Sequence, residues 1–456
     1  MGLPGSHECS KDDMTRLLRW PFIAMLALLA VTLLQWMIQR GNGVPAAVFA
    51  MERPAYGPAT YTDLLTVADQ RLALSQARVE RTPNEWLPRA GAGGAALSLF
   101  RLTGEIAYLD MAEQEITAVR DLAKPPSGVP ELRAEVALAQ HDLVGAAREL
   151  DILSRAAVKP EKPTLSEAAA MRGDLALYAG DHAHAARLYH EAAQIDPHVS
   201  VALRIANLQR VSGEFEAAIA TLAEATRTEK HTPVVLSGIA LQTGMIASAR
   251  GDYDGAKDWY DRAEALFPGH WLTALYRAEA RLANGHTDSA IAELERVARD
   301  HDRPEAMDML ALVWRVRGDI AQSRAWTEKS GAIWQAWVGK YPAAFAAHAA
   351  EHELVFGNAA EALRLARINT QARPYGEARL LLARALMAND QARAALKEIG
   401  LAERSGWRSA QLFAVKAQAL MILGETQASE VADKQARAIN PRIDDPITRL
   451  IWLAHG

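Results

Sequence analysis

From residue 61 onward, apolar positions recur at helical spacing, three or four residues apart, in short runs broken by glycine, aspartate or proline. One such stretch is Gly251-Asp252-Tyr253-Asp254-Gly255-Ala256-Lys257-Asp258-Trp259-Tyr260-Asp261-Arg262-Ala263, closing near Pro268. Gly251 follows an apolar run and suits the left-handed residue that ends a helix. Asp252 or Asp254 then caps the next helix, where a negative charge meets the positive end of the peptide dipoles. Ala256, Tyr260 and Ala263 share one face. Pro268 cannot continue the helix. The stretch therefore predicts a turn, a helix and a stop. No run alternates as a half-buried strand would, so the predicted class is all-α.

The same pattern recurs. Its turn position is held by Gly180, Gly213, Gly251, Gly285, Gly318, Gly357, Asn389 and Gly424, spaced 32 to 39 residues apart. Five places on stand Ala185, Ala218, Ala256, Ala290, Ser323, Ala362, Ala394 and Ser429. A small residue in every copy predicts a close approach of two helices there. Proline stands seventeen places past the turn at Pro197, Pro268, Pro374 and Pro441. Gly173 and Gly244 lie on first helices, and Tyr189 and Tyr260 on second helices. A helix–turn–helix unit with this period resembles the tetratricopeptide repeat family. The pattern departs from the family in lacking the first-helix tryptophan and, in later copies, the second-helix aromatic. The resemblance covers residues 166–443 well and 89–160 weakly. It implies an α-solenoid that presents a surface to other proteins, and it does not choose the partner.

Upstream the pattern changes. Trp20 to Ile38 carries no charge across nineteen residues, and tryptophans stand near both ends. At about 1.5 Å per residue such a helix spans roughly the hydrocarbon thickness of a bilayer. The segment is too long for the core of a cleavable signal, so a retained anchor at residues 20–38 is expected, after a polar tail at 1–19. Lys11, Arg16 and Arg19 precede the span. This places the tail in the cytoplasm and the repeats on the other side of a plasma membrane, in the periplasm of a bacterial-type envelope. Residues 39–60, rich in glycine and proline, read as a linker. Residues 61–165 read as an N-terminal cap with degenerate repeats. There Gly91, Gly93 and Gly94 interrupt one segment, and turns are expected at Gly104 and near His141. Residues 166–443 form the clear array, and 444–456 read as a final capping helix.

Composition narrows the function. Of 456 residues half are hydrophobic, and the formal net charge is −5, so no global basic field points to nucleic acid. The single cysteine, Cys9, excludes an internal disulfide framework. No phosphate-cradling loop, dinucleotide fingerprint or nucleophile elbow occurs, and no cofactor is assigned.

Two histidine clusters carry candidate chemistry. His348, Glu351 and His352 match the H-x-x-E-H spacing of inverted zinc peptidases. However, the segment lies on a repeat helix without a cleft of its own and shows no third ligand, so no metal is assigned. His182, His184 and His190 read as exposed first-turn residues after the cap Asp181. The stripe Trp334, Trp337 and Tyr341 either packs on the next unit or anchors a partner. Aligning on the turns puts Asn207, Arg210, Glu279 and Arg315 on the first-helix groove with Asp308 and Glu351. Only Asn207 resembles the family's carboxylate clamp. The expected function is a membrane-anchored scaffold or adaptor for other proteins, not an enzyme. The alternatives are a tethered zinc peptidase and a cytoplasmic-facing regulator.

Overall fold

The computed structural model describes residues 51–123, 128–228 and 230–450. The expected anchor at 20–38, the tail before it and the first part of the linker lie outside the described residues. Among the described residues no helix is long and apolar enough to cross a membrane. They form twenty-one α-helices and no strand.

Helix α1 (Tyr61–Arg81) precedes the pairs, packs on the helix after it and opens with a capping box, Thr60 and Asp63 each accepting from the other's backbone. Ten antiparallel pairs follow. Their first helices are α2 (Trp86–Thr103), α4 (Pro130–Ala139), α6 (Lys162–Tyr178), α8 (Val199–Val211), α10 (Pro233–Ala249), α12 (Trp271–Ala283), α14 (Pro304–Val316), α16 (Pro342–Phe356), α18 (Gly376–Met387) and α20 (Ala410–Ile422). Their second helices are α3 (Ile106–Leu122), α5 (Leu143–Ser154), α7 (His182–Ile195), α9 (Phe215–Thr228), α11 (Tyr253–Leu266), α13 (Thr287–His301), α15 (Ile320–Lys340), α17 (Ala359–Ala372), α19 (Ala392–Ser405) and α21 (Thr426–Ile439). The fold is thus an all-α solenoid of tetratricopeptide-like units. It includes two pairs, α2/α3 and α4/α5, that the sequence left as degenerate. Gly91, Gly93 and Gly94 do not break α2. Gly93 instead lets Ile116 of α3 approach, since a Cβ there would lie 3.3 Å from its Cδ1.

The turns follow one geometry. At the first strong copy Gly180 has φ +82°, Gly180 N donates to Leu177 O and Asp181 N to Ala176 O, both at 2.9 Å. This double closure satisfies two end carbonyls of α6 and needs a left-handed residue. Asp181 then caps α7, accepting from His184 N at 2.9 Å. Asp252 and Asp319 do the same for α11 and α15.

Two assigned turn residues need correction. In the seventh copy the left-handed residue is Asp390 (φ +58°), not Asn389. The buried small residue five places on is accordingly Ala395, with no exposed surface, while Ala394 is only partly buried. At Gly357 the backbone is not left-handed (φ −117°), and Asn358 caps α17 directly.

First and second helices are keyed together by glycine and tyrosine. A Cβ on Gly173 would lie 2.4 Å from the Tyr189 ring, and one on Gly244 would lie 2.3 Å from the Tyr260 ring. Other copies hold alanine opposite a smaller side chain, as Ala206 does with Leu222 and Ala278 with Leu294. The pairing is one of volume: where the second helix brings a large ring, the first gives up its side chain.

The chain also winds back on itself, so that residues about two hundred positions apart touch. Tyr61 N donates to Pro268 O at 3.0 Å and Arg408 N to Val211 O at 2.8 Å. Arg303 reaches the Thr103 and Gly104 carbonyls at 3.3 and 2.8 Å. Asn440 Nδ2 lies 3.1 Å from the Tyr253 hydroxyl. Part of the expected linker joins this packing, since Tyr56 donates to His231 O at 2.7 Å and Met51 is buried. The expected C-terminal helix is a 3₁₀ turn at Pro446–Leu450. It packs against α12 and α14 of the previous turn rather than only on the last unit. Residues 451–456 lie outside the described residues.

Candidate functional site

Winding leaves an interior lined almost wholly by first helices. Three cavities follow one another there, of about 440, 360 and 620 Å³. The first two share His141, Glu305 and His348, and the second and third share Glu351 and Glu377. First helices come to the interior because their period carries two stripes. One is apolar and packs on the second helix, and the other is mixed and faces inward.

In the first cavity Glu167 and Asp174, seven residues apart on one face of α6, both meet Arg204 of α8. Arg204 bonds Glu167 Oε1 at 2.6 Å and Asp174 Oδ2 at 3.0 Å, and Tyr189 donates to Asp174 at 2.8 Å. Burial raises the Asp174 pKa against the pull of Arg204. Opposite stands Arg303, bidentate to Glu305 at 3.1 and 2.6 Å, with its guanidinium 4.2 Å from the Trp271 ring. Gly104 admits it, since a Cβ there would lie 2.2 Å from Arg303 Nη1. Burial opposes charge on Glu305, but Arg303 and then His348 outweigh it and lower its pKa. His141 Nδ1 lies 3.0 Å from Ala343 O, and burial, then Arg373, pushes its pKa down to about 3. It is a neutral donor.

In the second cavity Arg373 lies 5.1 Å from both the Tyr178 and the Tyr375 ring. Arg204, Arg303 and Arg373 were missed in the sequence because each makes a contact one or more repeats away, Arg204 with Glu167 and Asp174, Arg303 with Gly104 and Arg373 with Tyr178. Only the Glu167–Asp174 spacing was visible as a signal.

The residues singled out from sequence are distributed as follows. Trp334 is 2% exposed, donates Nε1–H to Asp308 Oδ2 at 2.8 Å, and stacks on His348. Trp337 packs on Phe345 at 4.9 Å and beneath Arg303 at 5.3 Å. The Tyr341 hydroxyl lies 2.8 Å from both Asp110 Oδ1 and Glu113 Oε2 of α3, and Lys340 pairs with Asp110. The stripe is therefore spent inside the chain, and its far end docks on α3 rather than on the following unit. Asn207 accepts from Arg210 Nη2 at 2.8 Å, which occupies the one residue that resembled a carboxylate clamp. Glu279 is buried within α12. Arg315 is exposed, donates to Val355 O at 2.7 Å and covers the Phe356 ring.

The two histidines of the H-x-x-E-H segment have separate neighbours. His352 is buried with Nδ1 2.7 Å from Asp308 Oδ1, whereas His348 stacks on Trp334 with Nδ1 3.8 Å from Glu351. Among the described residues no three side chains of histidine, cysteine, aspartate or glutamate gather as a metal-holding group. His184 and His190 are exposed, but His182 is not. It is buried against Trp407 with Nδ1 3.1 Å from Ser212 Oγ.

Fold and interior together define a solenoid of tetratricopeptide-like repeats, a class that works by presenting surfaces to other proteins. Residues 176–241 and 247–313 match the tetratricopeptide repeat family, together under a third of the chain. No curated protein matches the chain in sequence. Solved structures of similar fold include yeast Tom70, at 16% identity and TM-score 0.43, covering 85% of this chain and 89% of that one. A Rap protein complexed with competence and sporulation factor is similar at 13% identity and TM-score 0.45, covering 68% and 95%. The Cut9–Hcn1 hetero-tetramer of APC/C is similar at 12% identity and TM-score 0.38, covering 86% and 82%. At these identities the likeness is one of fold alone.

Proposed function

We propose that the protein is a scaffold that binds other proteins through the interior of its repeat array, held at a plasma membrane by residues 20–38 with the repeats on the extracytoplasmic side. The observation that carries the binding role is the run of three connected cavities, lined by successive first helices with aromatic and charged side chains. A lining of that kind offers apolar contact and paired donors and acceptors together, which suits a polypeptide. The anchor reading rests on the nineteen uncharged residues flanked by tryptophan. Tethering would raise the effective concentration of the array near membrane partners without adding a contact.

The test is a topology reporter fused at the C-terminus, with crosslinking in intact membranes followed by retrieval of the full chain. An extracytoplasmic reporter and partners lost on deleting α6–α13 are expected. A cytoplasmic reporter would replace the envelope role with that of a cytoplasmic-facing regulator. A chain recovered only in the soluble fraction would remove the anchor.

A further inference from the structure

The outer surface of α1 departs from what the end of a solenoid needs. The helix packs through Leu65, Ala68 and Leu72 on the apolar cluster it shares with α2, which covers one side of it. The terminal helix of a repeat array ordinarily turns a polar flank to water. On α1 that flank carries Val67, Arg71, Leu74, Arg78 and Arg81, all exposed. Successive steps of four, three, four and three residues set them in one stripe along the helix. Val67 is 53% and Leu74 63% exposed.

The arginines of the stripe are unanswered. Elsewhere exposed arginines find carboxylates on their own helix, as Arg364 does with Glu361 and Arg437 with Asp433. Among the described residues Arg71, Arg78 and Arg81 have no carboxylate at ion-pair distance, and Arg81 donates Nε–H to the Ala77 carbonyl at 3.1 Å. The carboxylates of α1 stand elsewhere. Asp69 and Glu80 lie more than a third of a turn from the midline of the stripe. Asp63, at its N-terminal edge, is taken by the Thr60 backbone N–H at 3.0 Å.

Apolar tips set between free guanidinium groups match a surface that is anionic on top and apolar just beneath. We propose that this face of α1 lies on an anionic membrane surface, with Val67 and Leu74 at the upper ends of the acyl chains and the three arginines on lipid phosphates. The long arginine stems can cover apolar surface while their heads stay in the headgroup layer. A free phosphate would leave the valine and the leucine uncovered. The expected span ends at Ile38 and α1 begins at Tyr61, so a bilayer surface is within the reach of the intervening residues. The proposal deepens the anchored reading and rests on it for that delivery. Docking would set how the first unit of the array faces the bilayer, which a tether alone does not.

For the test, the full chain is reconstituted by detergent removal with vesicles of phosphatidylcholine, alone or mixed with phosphatidylglycerol. Cys9→Ser removes the one native thiol, and Leu74→Cys carries an environment-sensitive dye. Nitroxide placed high on the lipid acyl chains should quench the dye in the anionic vesicles and much less in the neutral ones. Added salt should relieve the quenching, which reads the charge contribution without a substitution at an arginine. The same dye at Val431→Cys, a valine of α21 as exposed as Val67 but beside Glu430 and Asp433, should stay unquenched. Each arginine at an anionic surface is worth about fivefold in binding, so Arg71→Gln with Arg78→Gln should lower the docked-to-undocked ratio by about twentyfold. Melting curves check that these exposed substitutions leave the fold intact. Flotation of the vesicles reads the anchor separately. A chain that floats with both kinds of vesicle but is quenched in neither, or equally in both, would overturn the proposal and leave the anchor standing. Quenching that survives salt and the arginine variants would overturn it too. Protection of the dye that grows with protein density in neutral vesicles would give this face to a second copy instead. A chain that floats only with anionic vesicles, and is quenched there, would remove the anchor and keep the α1 surface. Flotation with neither would remove both.

Discussion

Gly238 and Gly244 lie six residues apart on α10, and the same substitution should act on them with opposite sign. In a helix interior, alanine is favoured over glycine by about 0.5–1 kcal/mol, because glycine loses more backbone freedom on folding. At Gly238 an added Cβ meets nothing within 4 Å, so Gly238→Ala should stabilise by about that amount. At Gly244 the Cβ would lie 2.3, 2.5 and 3.0 Å from three atoms of the Tyr260 ring. Tyr260 is 1% exposed and has no free side to turn toward. Overpacking of this kind costs about 1–3 kcal/mol, so the net change is a loss of up to about 2.5 kcal/mol after the helix gain is subtracted. The helix gain is common to both variants, so they should differ by the overpacking cost, about 1–3 kcal/mol. Gly244→Ala combined with Tyr260→Leu should be less damaging than the sum of its parts, since Ala278 and Leu294 form that pair in the next unit. The assay is urea unfolding followed by circular dichroism, with hydrogen exchange of α10 and α11 amides to localise the change. If Gly244→Ala proves as stable as Gly238→Ala, or the double variant is merely additive, the glycine–tyrosine key is wrong.

Other predictions address register, closure and pH. Ala395→Leu should destabilise by about 1–3 kcal/mol and Ala394→Leu by much less, because the left-handed residue is Asp390; equal effects on thermal unfolding would restore the turn at Asn389. Arg303→Ala strips buried Glu305 of its bidentate partner and two carbonyls of a donor, so a loss of about 3–5 kcal/mol is expected, with faster amide exchange in both α2 and α14. Unchanged exchange in α2 would mean that the contact between turns carries no stability. His141, His182 and His270 have pKa values pushed down by burial to about 3, 4 and 4. Their folded values lie below the unfolded value, so the unfolded state binds more protons as pH falls below about 6.5, and stability is lost in that direction. By pH 5 each should cost about 2 kcal/mol. His141→Gln should flatten the pH dependence between pH 6.5 and 5, and an unaltered slope in urea unfolding would show that His141 is not held neutral.

The fold was legible in the sequence where the cause was local. The turn glycines, the aspartate caps and the small residue five places on each act within one hairpin, so their spacing carried the fold and the number of strong units. Asp390 escaped because aspartate can also take a left-handed backbone, at a steric cost that no sequence pattern marks. Glu279, Asp308 and Glu351 read as groove charges, yet Asp308 is fully buried between His352 and Trp334. That environment needs α14, α15 and α16 together.

The sequence by itself determined the helical hairpins, their turns and their order, because hydrophobic period, backbone freedom and capping are short-range and repeat in every unit. The tertiary structure alone decided that Tyr341 reaches α3, that Arg303 reaches Gly104 and that first helices from distant repeats wall common cavities. The small rotation from each hairpin to the next is fixed by side-chain volume at many interfaces, and it accumulates over some six units before distant residues meet. No single repeat encodes that sum, so which charged side chains end up facing one another is settled only when the turns stack.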